Sequence, residues 1–332
     1  MSQPLVTVIM PVADAQEHLP TACKHLAAID YPHLEYLLID DCSQDNSREL
    51  LDDWVATRED ARVITLPKRG GVAAAREAGI KAAQGEFVWM LDCDDRWEPG
   101  ILRLALDMVD DRPIDLICFR ALVHEVQGPS RTMEGVDAPV LFSRSDTALA
   151  VLEGTIRGYL WNKIFRTSVL KEHSDYQRTS SQSDFLLLLS SLGLIRSTLM
   201  IPDTGYHYVQ RSGSISFTDT RQVDNTAYCA DQALSILPPL ISDQDTARQQ
   251  EAFLVWFYLL PCSVTPVHQQ WPQEITMDFH KRLLPQMTVR RILATAKTGH
   301  PTVAAHALLI RMLSPIRAYP ALYRLFLDLR KP

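Results

Sequence analysis

Four short apolar runs, each followed by a polar tip and a helical stretch, decide what the first hundred residues can fold into. They are Leu5 to Met10 (L-V-T-V-I-M), Leu34 to Ile39 (L-E-Y-L-L-I), Ala61 to Leu66 and Phe87 to Leu91. Their length and β-branched or aromatic content fit strands buried on both faces. Between them, Leu19, Ala22, Cys23, Leu26 and Ala27 recur at helical spacing. Further helices are predicted from about Ser47 to Thr57 and from Val72 to Ala83. Strands and helices alternating at this length predict right-handed βαβ units and a parallel sheet covered on both faces.

In such sheets ligands bind outside the carboxyl ends of the strands. Four polar elements are predicted there: Pro11, Val12 and Asp14; Asp40 and Asp41; Lys68 to Gly71; and Asp92, Asp94 and Asp95. Each has a plainer reading, as a helix cap or a turn, but together they point to one site. Three carboxylates with only Cys93 between them repel one another and raise each other's pKa. A divalent cation, Mg²⁺ or Mn²⁺, relieves that, and such sites combine one or two carboxylates with substrate phosphates. Lys68 and Arg69, with Gly71 leading into the helix N-terminus at Val72, can neutralise phosphate. Arg76, one turn on, can reach the same pocket or pair on the surface with Glu77 or Asp60. Spare carboxylates accept from sugar hydroxyls or a base N–H, so the set suits a nucleoside diphosphate bearing a sugar. The dinucleotide fingerprint and the P-loop are both absent.

Composition narrows the partners. The 332 residues are 46% hydrophobic and 22% charged, enough for a sizeable core. A net charge of −7 and a pI of about 5.8 argue against general nucleic-acid binding. Six cysteines, at 23, 42, 93, 118, 229 and 262, lie far apart with no C-x-x-C pair, and read as reduced thiols of a cytoplasmic protein. Met1 to Pro4 lead into a strand without a signal-peptide pattern. Ala252 to Val267 contains Pro261 and Pro266 and falls short of a bilayer span of about 20 residues, so no transmembrane helix is expected.

Several motifs, taken in order, resemble those of family 2 glycosyltransferases. V-T-V-I-M-P-V (Val6 to Val12) resembles the family's opening strand. L-L-I-D-D-C-S-Q-D-N-S (Leu37 to Ser47), G-G-V-A-A-A-R-E-A-G-I (Gly70 to Ile80) and G-E-F-V-W-M-L-D-C-D-D (Gly85 to Asp95) follow the family pattern. So do W-N-K-I-F-R (Trp161 to Arg166), S-D-F (Ser183 to Phe185) and Y-H-Y-V-Q-R-S-G-S-I (Tyr206 to Ile215). The resemblance implies an α/β GT-A fold: a Rossmann-like, mostly parallel central sheet flanked by helices. It also implies an inverting transferase that uses a nucleotide-sugar donor, UDP-linked by expectation, and a glycan or lipid-linked acceptor. Asp40 and Asp41 would contact the nucleobase, Asp92 the ribose, and Asp94 the metal, with Asp95 beside them. Asp184 would be the catalytic base, while Trp161, Asn162 and Lys163 would line the acceptor side. His207 stands where some related enzymes have a metal ligand; between two tyrosines it also reads as a structural residue. Arg211 and Ser214 are candidates for contact with the donor diphosphate, from a loop that closes over it.

The chain departs from the family pattern at Ala13-Asp14, Lys68-Arg69, Glu77 and Ser183. The departures at Ala13-Asp14 and Ser183 keep a non-catalytic partner in a polysaccharide assembly complex as an alternative. A sugar nucleotidyltransferase is a weaker one, because no glycine-rich, Arg-bearing loop follows Val12. The resemblance fades beyond about Phe217, which suggests a catalytic domain over 1–217 and an α-helical appendage over 218–332. Asp224 to Ile236, Asp243 to Leu260 and Thr276 to Thr298 read as helices, separated by Pro238-Pro239, Pro261 and Pro272 and interrupted at Pro285. From His306, Arg311, Arg317, Arg324, Arg330 and Lys331 face a single acid, Asp328. Such a basic amphipathic tail can lie on the inner face of the cell membrane, pack on the catalytic domain, or join a homodimer.

Overall fold

The computed structural model describes residues 3–109, 112–125, 129–172, 179–210, 221–242, 245–314 and 319. The chain divides into two compact units: residues 1–147, 155–179 and 183–212, and residues 148–154, 180–182 and 213–332.

The first unit is built on one sheet. Strands β1 (Val6–Val12), β2 (Leu34–Asp40), β3 (Ala61–Thr65) and β4 (Phe87–Met90) alternate with helices α1 (Leu19–Ala27), α2 (Ser47–Val55) and α3 (Val72–Ala82). After β4 come β5 (Arg96–Trp97), α4 (Ile101–Asp107), β6 (Leu116–His124), β7 (Arg131–Met133) and β8 (Val140–Ser143). The remaining elements are α5 (Arg144–Glu153), β9 (Lys163–Arg166), α6 (Thr167–Lys171), α7 (Ser183–Ser191) and β10 (Ser197–Val209). The strand order is β3-β2-β1-β4-β9-β6-β10-β5, with β7 on β6 and β8 on β10. Strands β1 to β4 pair in parallel, and β6 pairs in parallel with β10; β9 runs antiparallel between β4 and β6. The β1–β4 half is parallel, as expected, while β5, β7, β8 and β9 pair antiparallel and make the whole sheet mixed.

Register does the positioning. Val12 pairs with Asp40, and Ile9 with Met90, so Pro11–Asp14, Asp40–Asp41 and Leu91–Asp95 leave the sheet at one edge. All four residues of β4 are buried, and Trp89 packs edge-on against Trp97 and Phe119. Strand β10 slips register between Ile201 and Tyr206 and so bends toward that edge. Gly205 sits in the bend, where a Cβ would come within 2.4 Å of Ile101 and 2.5 Å of Phe119. The bend brings Tyr206 and Val209 onto Asp95.

The second unit is helical. It contains α8 (Gln222–Leu240), α9 (Ala247–Phe253), α10 (Leu260–His268), α11 (Gln273–Leu283), α12 (Val289–Lys297) and α13 (Pro301–Leu313). Pro285 lies in the 3₁₀ turn Leu284–Gln286 between α11 and α12. Pro261 does not end its helix, contrary to expectation. A π-helical segment, Leu254–Leu259, joins α9 to α10, and Pro261 occupies the first turn of α10. All six cysteines are free.

Candidate active site

The loops at the sheet edge are tied to one another before any ligand is considered. Asp14, at φ +49°, accepts from the Gln44 amide at 2.6 Å and from Arg69 Nη2 at 2.6 Å. Its own amide donates to Ser43 Oγ, and the next two amides donate to Ser47 Oγ and Asp45 Oδ2. Asp14, expected at the donor, is a brace between the β1 and β2 loops, and the Gln44 amide, more than Arg69, lowers its pKa. Val12 is buried and its carbonyl accepts from the Asp41 amide; Pro11 sits beside it in β1.

Asp40 and Asp41 are almost completely buried. Asp40 accepts from the Ser43 amide. Both Asp41 oxygens accept backbone amides, Gly70 N at 2.6 Å and Gly71 N at 2.8 Å. A carboxylate from β2 thus caps helix α3, supplying the negative charge its N-terminus favours. These amides, read from sequence as phosphate binders, are already occupied. Gly71 has φ +80°, a backbone that disfavours any side chain, although the space around it is open. Lys68 is exposed on the rim.

Arg76 is the centre of the cluster. Buried on α3, it donates to Asp92 Oδ1 at 2.9 Å and to Asp184 Oδ1 at 2.5 Å. It thereby joins the β4 loop to the first turn of α7. Phe185 to Leu189 are all buried, each contributing about 1.5–3 kcal/mol of apolar burial, and they fix the helix that carries Asp184. Asp92 and Asp184 keep 30% and 25% of their side chains open to solvent. Asp184 Oδ2 has no partner among the described residues, and Ser183 Oγ lies 3.4 Å from Oδ1.

Burial raises the Asp92 pKa, and Asp184 and Asp94 add to it against the pull of Arg76. Asp95 is buried and accepts from Tyr206 Oη at 2.8 Å and from the Val209 amide at 2.8 Å. Burial, then Asp92, push its pKa up to about 8. Tyr206 Oη also accepts the Asp92 amide at 3.4 Å. This tyrosine buttresses two of the three aspartates, and the sequence reading passed over it in favour of its neighbour. The signal was the Y-H-Y alternation, which turns residues 206 and 208 to one face.

Asp92 and Asp184 share the Arg76 guanidinium, and Asp94 and Asp95 follow on the same loop. Carboxylates this close together would oppose a diphosphate unless a cation came with it. Among the described residues no group of three or more acidic, histidine or cysteine side chains is placed to hold a metal ion. Mg²⁺ and Mn²⁺ can be held by one or two carboxylates, with phosphate oxygens and water completing the shell. Asp94 lies partly open at the centre of this loop.

His207 Nε2 lies 2.7 Å from Glu98 Oε1, and His207 Nδ1 lies 3.0 Å from His124 Nε2. Both ring nitrogens are engaged, so metal ligation would cost one of these contacts. Asn162 and Lys163 correct the acceptor assignment: both are fully buried. Lys163 Nζ lies 2.8 Å from Glu134 Oε2, and Asn162 Nδ2 donates to the same oxygen at 2.7 Å. They have no surface to offer an acceptor. Trp161 is also buried, stacked on Tyr159, Tyr206 and Tyr208 at centroid distances of 4.9, 4.6 and 5.7 Å, and so lies behind the acidic cluster. Arg211 and Ser214 lie outside the described residues.

The profile of "Glycosyl transferase family 2" matches residues 7–173. The chain is 33% identical over 110 residues to the putative teichuronic acid biosynthesis glycosyltransferase TuaG of Bacillus subtilis; that stretch is 33% of this chain and 44% of TuaG. In fold it is similar to residues 1–349 of Staphylococcus aureus TarS in complex with UDP-GlcNAc. The TM-score is 0.67 at 19% identity, covering 92% of this chain and 88% of that one. The mannosyltransferase PcManGT of Pyrobaculum calidifontis, in complex with GDP-Man and Mn²⁺, gives a TM-score of 0.57 at 14% identity, covering 95% and 88%. These two likenesses establish the GT-A fold.

Proposed function

This chain belongs to glycosyltransferase family 2, and from that premise we propose that it moves a sugar from a nucleoside-diphosphate donor, UDP-linked, to a hydroxyl of a glycan or lipid-linked acceptor in bacterial surface-polysaccharide synthesis. The observation that carries the reading is the Arg76 bridge. One buried cation ties Asp184, on a helix anchored by five buried apolar residues, to the acidic strand end.

The chemistry needs a carboxylate near the acceptor that stays free of the metal, because a hydroxyl is a weak nucleophile until a positioned base takes its proton. Asp184 fills that role. Arg76 and Ser183 meet Oδ1, leaving Oδ2 to accept the proton as the hydroxyl oxygen attacks the anomeric carbon. Attack opposite the leaving group inverts that carbon. Asp92 and Asp95 shape the donor side, with Tyr206 and Arg76 holding them in place. Asp94, with the donor's phosphates, would hold Mg²⁺ or Mn²⁺, which supplies positive charge against the leaving diphosphate.

Two measurements test this. Asp184→Asn should lower transfer by about 10²–10⁴-fold while nucleotide binding persists; full activity in this variant refutes the base assignment. The wild-type unfolding midpoint should rise with one nucleoside diphosphate only when Mn²⁺ is present, by about 2.7 kcal/mol at 100 times Kd. Asp94→Ala should abolish that rise.

A further inference from the structure

Six of the eight large apolar side chains that stand exposed among the described residues lie between Met277 and Met312. Five are on two neighbouring helices. On α12, Val289 and Leu293 stand one turn apart and are 55% and 54% exposed. On α13, Ala305, Leu308, Leu309 and Met312 follow the i, i+3, i+4, i+7 pattern of one helix face, with Leu308 44%, Leu309 49% and Met312 66% exposed. The buried faces of these helices are separate sets, Ile292, Ala294 and Thr295 on α12 and Ala304, Ala307 and Ile310 on α13. The outer stripe is therefore additional apolar surface, of the kind that marks an interaction site.

Charge says which partner. From Phe279 to Leu327 the sequence has eight Lys or Arg and no Asp or Glu, in a chain of net charge −7. On α12, Arg290 is 79% exposed and Lys297 is also exposed. Glu251 faces this helix from α9, paired with Arg291 at 2.8 Å and with Arg290 at 3.5 Å. Arg311 on α13 donates to the Leu284 and Met287 carbonyls. One acid against two arginines and a lysine leaves the rim positive. A second copy of the chain would bring two such rims together, which like charge opposes.

We propose that the outer face of α12 and α13 docks on the surface of an anionic lipid bilayer. Leu293, Leu308, Leu309 and Met312 enter the boundary between headgroups and acyl chains, and Arg290 and Lys297 meet the lipid phosphates. The helices lie on the bilayer and do not span it; among the described residues no helix is long and apolar enough to cross. This places the basic apolar surface on α12 and on α13, which holds the first residues of the tail read from His306 onward, and it is independent of the donor chemistry.

The test is flotation of the full chain with phosphatidylcholine vesicles, with and without phosphatidylglycerol. Binding should require the anionic lipid and weaken as salt rises to about 1 M, where the Debye length is about 3 Å. Leu309→Glu/Met312→Glu and Arg290→Gln/Lys297→Gln should each lower the partition coefficient by about tenfold or more, with unfolding midpoints little changed because all four side chains are exposed and Glu251 keeps Arg291. Equal binding to neutral vesicles overturns the proposal, as does wild-type affinity in both variants, which would move the contact to 320–332 or elsewhere. Absence of binding by folded wild-type protein also overturns it. A fall in sedimentation coefficient of the Leu309→Glu/Met312→Glu variant without vesicles would identify a second copy as the occupant instead.

Discussion

Two buried ionic clusters in the first unit look alike in sequence and differ in construction. Lys163, Glu134 and Asn162 form a closed set. Both charged side chains are inaccessible, the charges balance, and Glu134 accepts from Lys163 and Asn162 through Oε2 and from the Arg157 amide through Oε1. Arg76, Asp92 and Asp184 form an open set. One cation serves carboxylates that outnumber it, and those carboxylates still reach solvent. A balanced, sealed pair leaves no chemistry to do and holds β9 to the loop after β7. An unbalanced, half-open cluster is able to take up a ligand or cation. The polar residues alone did not distinguish scaffold from site; charge balance and access do.

Removing one charge from the closed set should have the largest effect on stability. Lys163→Met strands Glu134, at a cost of about 3–5 kcal/mol in denaturant unfolding. Glu134→Leu added to it should recover most of that loss. Transfer activity per folded molecule should hold near wild type. A large loss of activity without loss of stability would break the distinction.

Arg76→Gln should show the reverse balance. Water can reach both freed carboxylates, so the stability cost is smaller, about 1–3 kcal/mol. Transfer should fall by about 10²-fold or more, because Asp184 loses the contact that fixes its position. In the Asp184→Asn background the same substitution should cost transfer much less, since the two residues act as a unit. Additive losses would separate Arg76 from the base.

The strand–helix alternation and the acidic tip at Asp92 to Asp95 were legible because both follow from local pattern. The period of the apolar residues sets the elements, and the parallel topology sets the edge. The partners of those residues were not legible. Glu134 lies 29 positions before Lys163 and meets it only once the sheet has formed, so W-N-K read as an exposed motif. The contacts of Asp41 with the Gly70 and Gly71 amides were not legible, because backbone groups carry no sequence mark. Tyr206 was overlooked because a hydroxyl gains importance only from what it touches, here Asp95. Pro261 read as a break because sequence does not show the π-helical segment that precedes it.

The buried aspartate beside the open set should also sign itself in pH. The Asp95 pKa is raised to about 8 from an ordinary 3.8. Between those values the folded protein holds a proton that the unfolded chain has released. Its stabilising contribution is therefore complete below the lower value and is lost as pH rises through the upper one. In metal-free buffer the urea midpoint of the sheet unit should fall from pH 5 to pH 8. Asp95→Asn should flatten that slope, whereas an unchanged slope would place its origin in another group.

The smallest effect expected is in the helical unit, with opposite sign. His280 is buried on α11 with Nε2 2.9 Å from the Ser263 carbonyl. Burial lowers its pKa below 6.5, the carbonyl only partly offsetting it. His306 on α13 is lowered as well, by burial and then by His268. These groups bind fewer protons folded than unfolded, so their contribution is complete above pH 6.5 and is lost as pH falls through the folded values. Hydrogen exchange resolves the two regions separately. Protection over 260–283 should weaken from pH 7.5 to pH 5.5, after correction for intrinsic rates, while protection over 87–97 should strengthen. His280→Gln should remove part of the first change and none of the second. If both segments moved together, the sheet and helical units would be reporting one shared titration, and carboxylates and histidines would not be setting their pH responses separately.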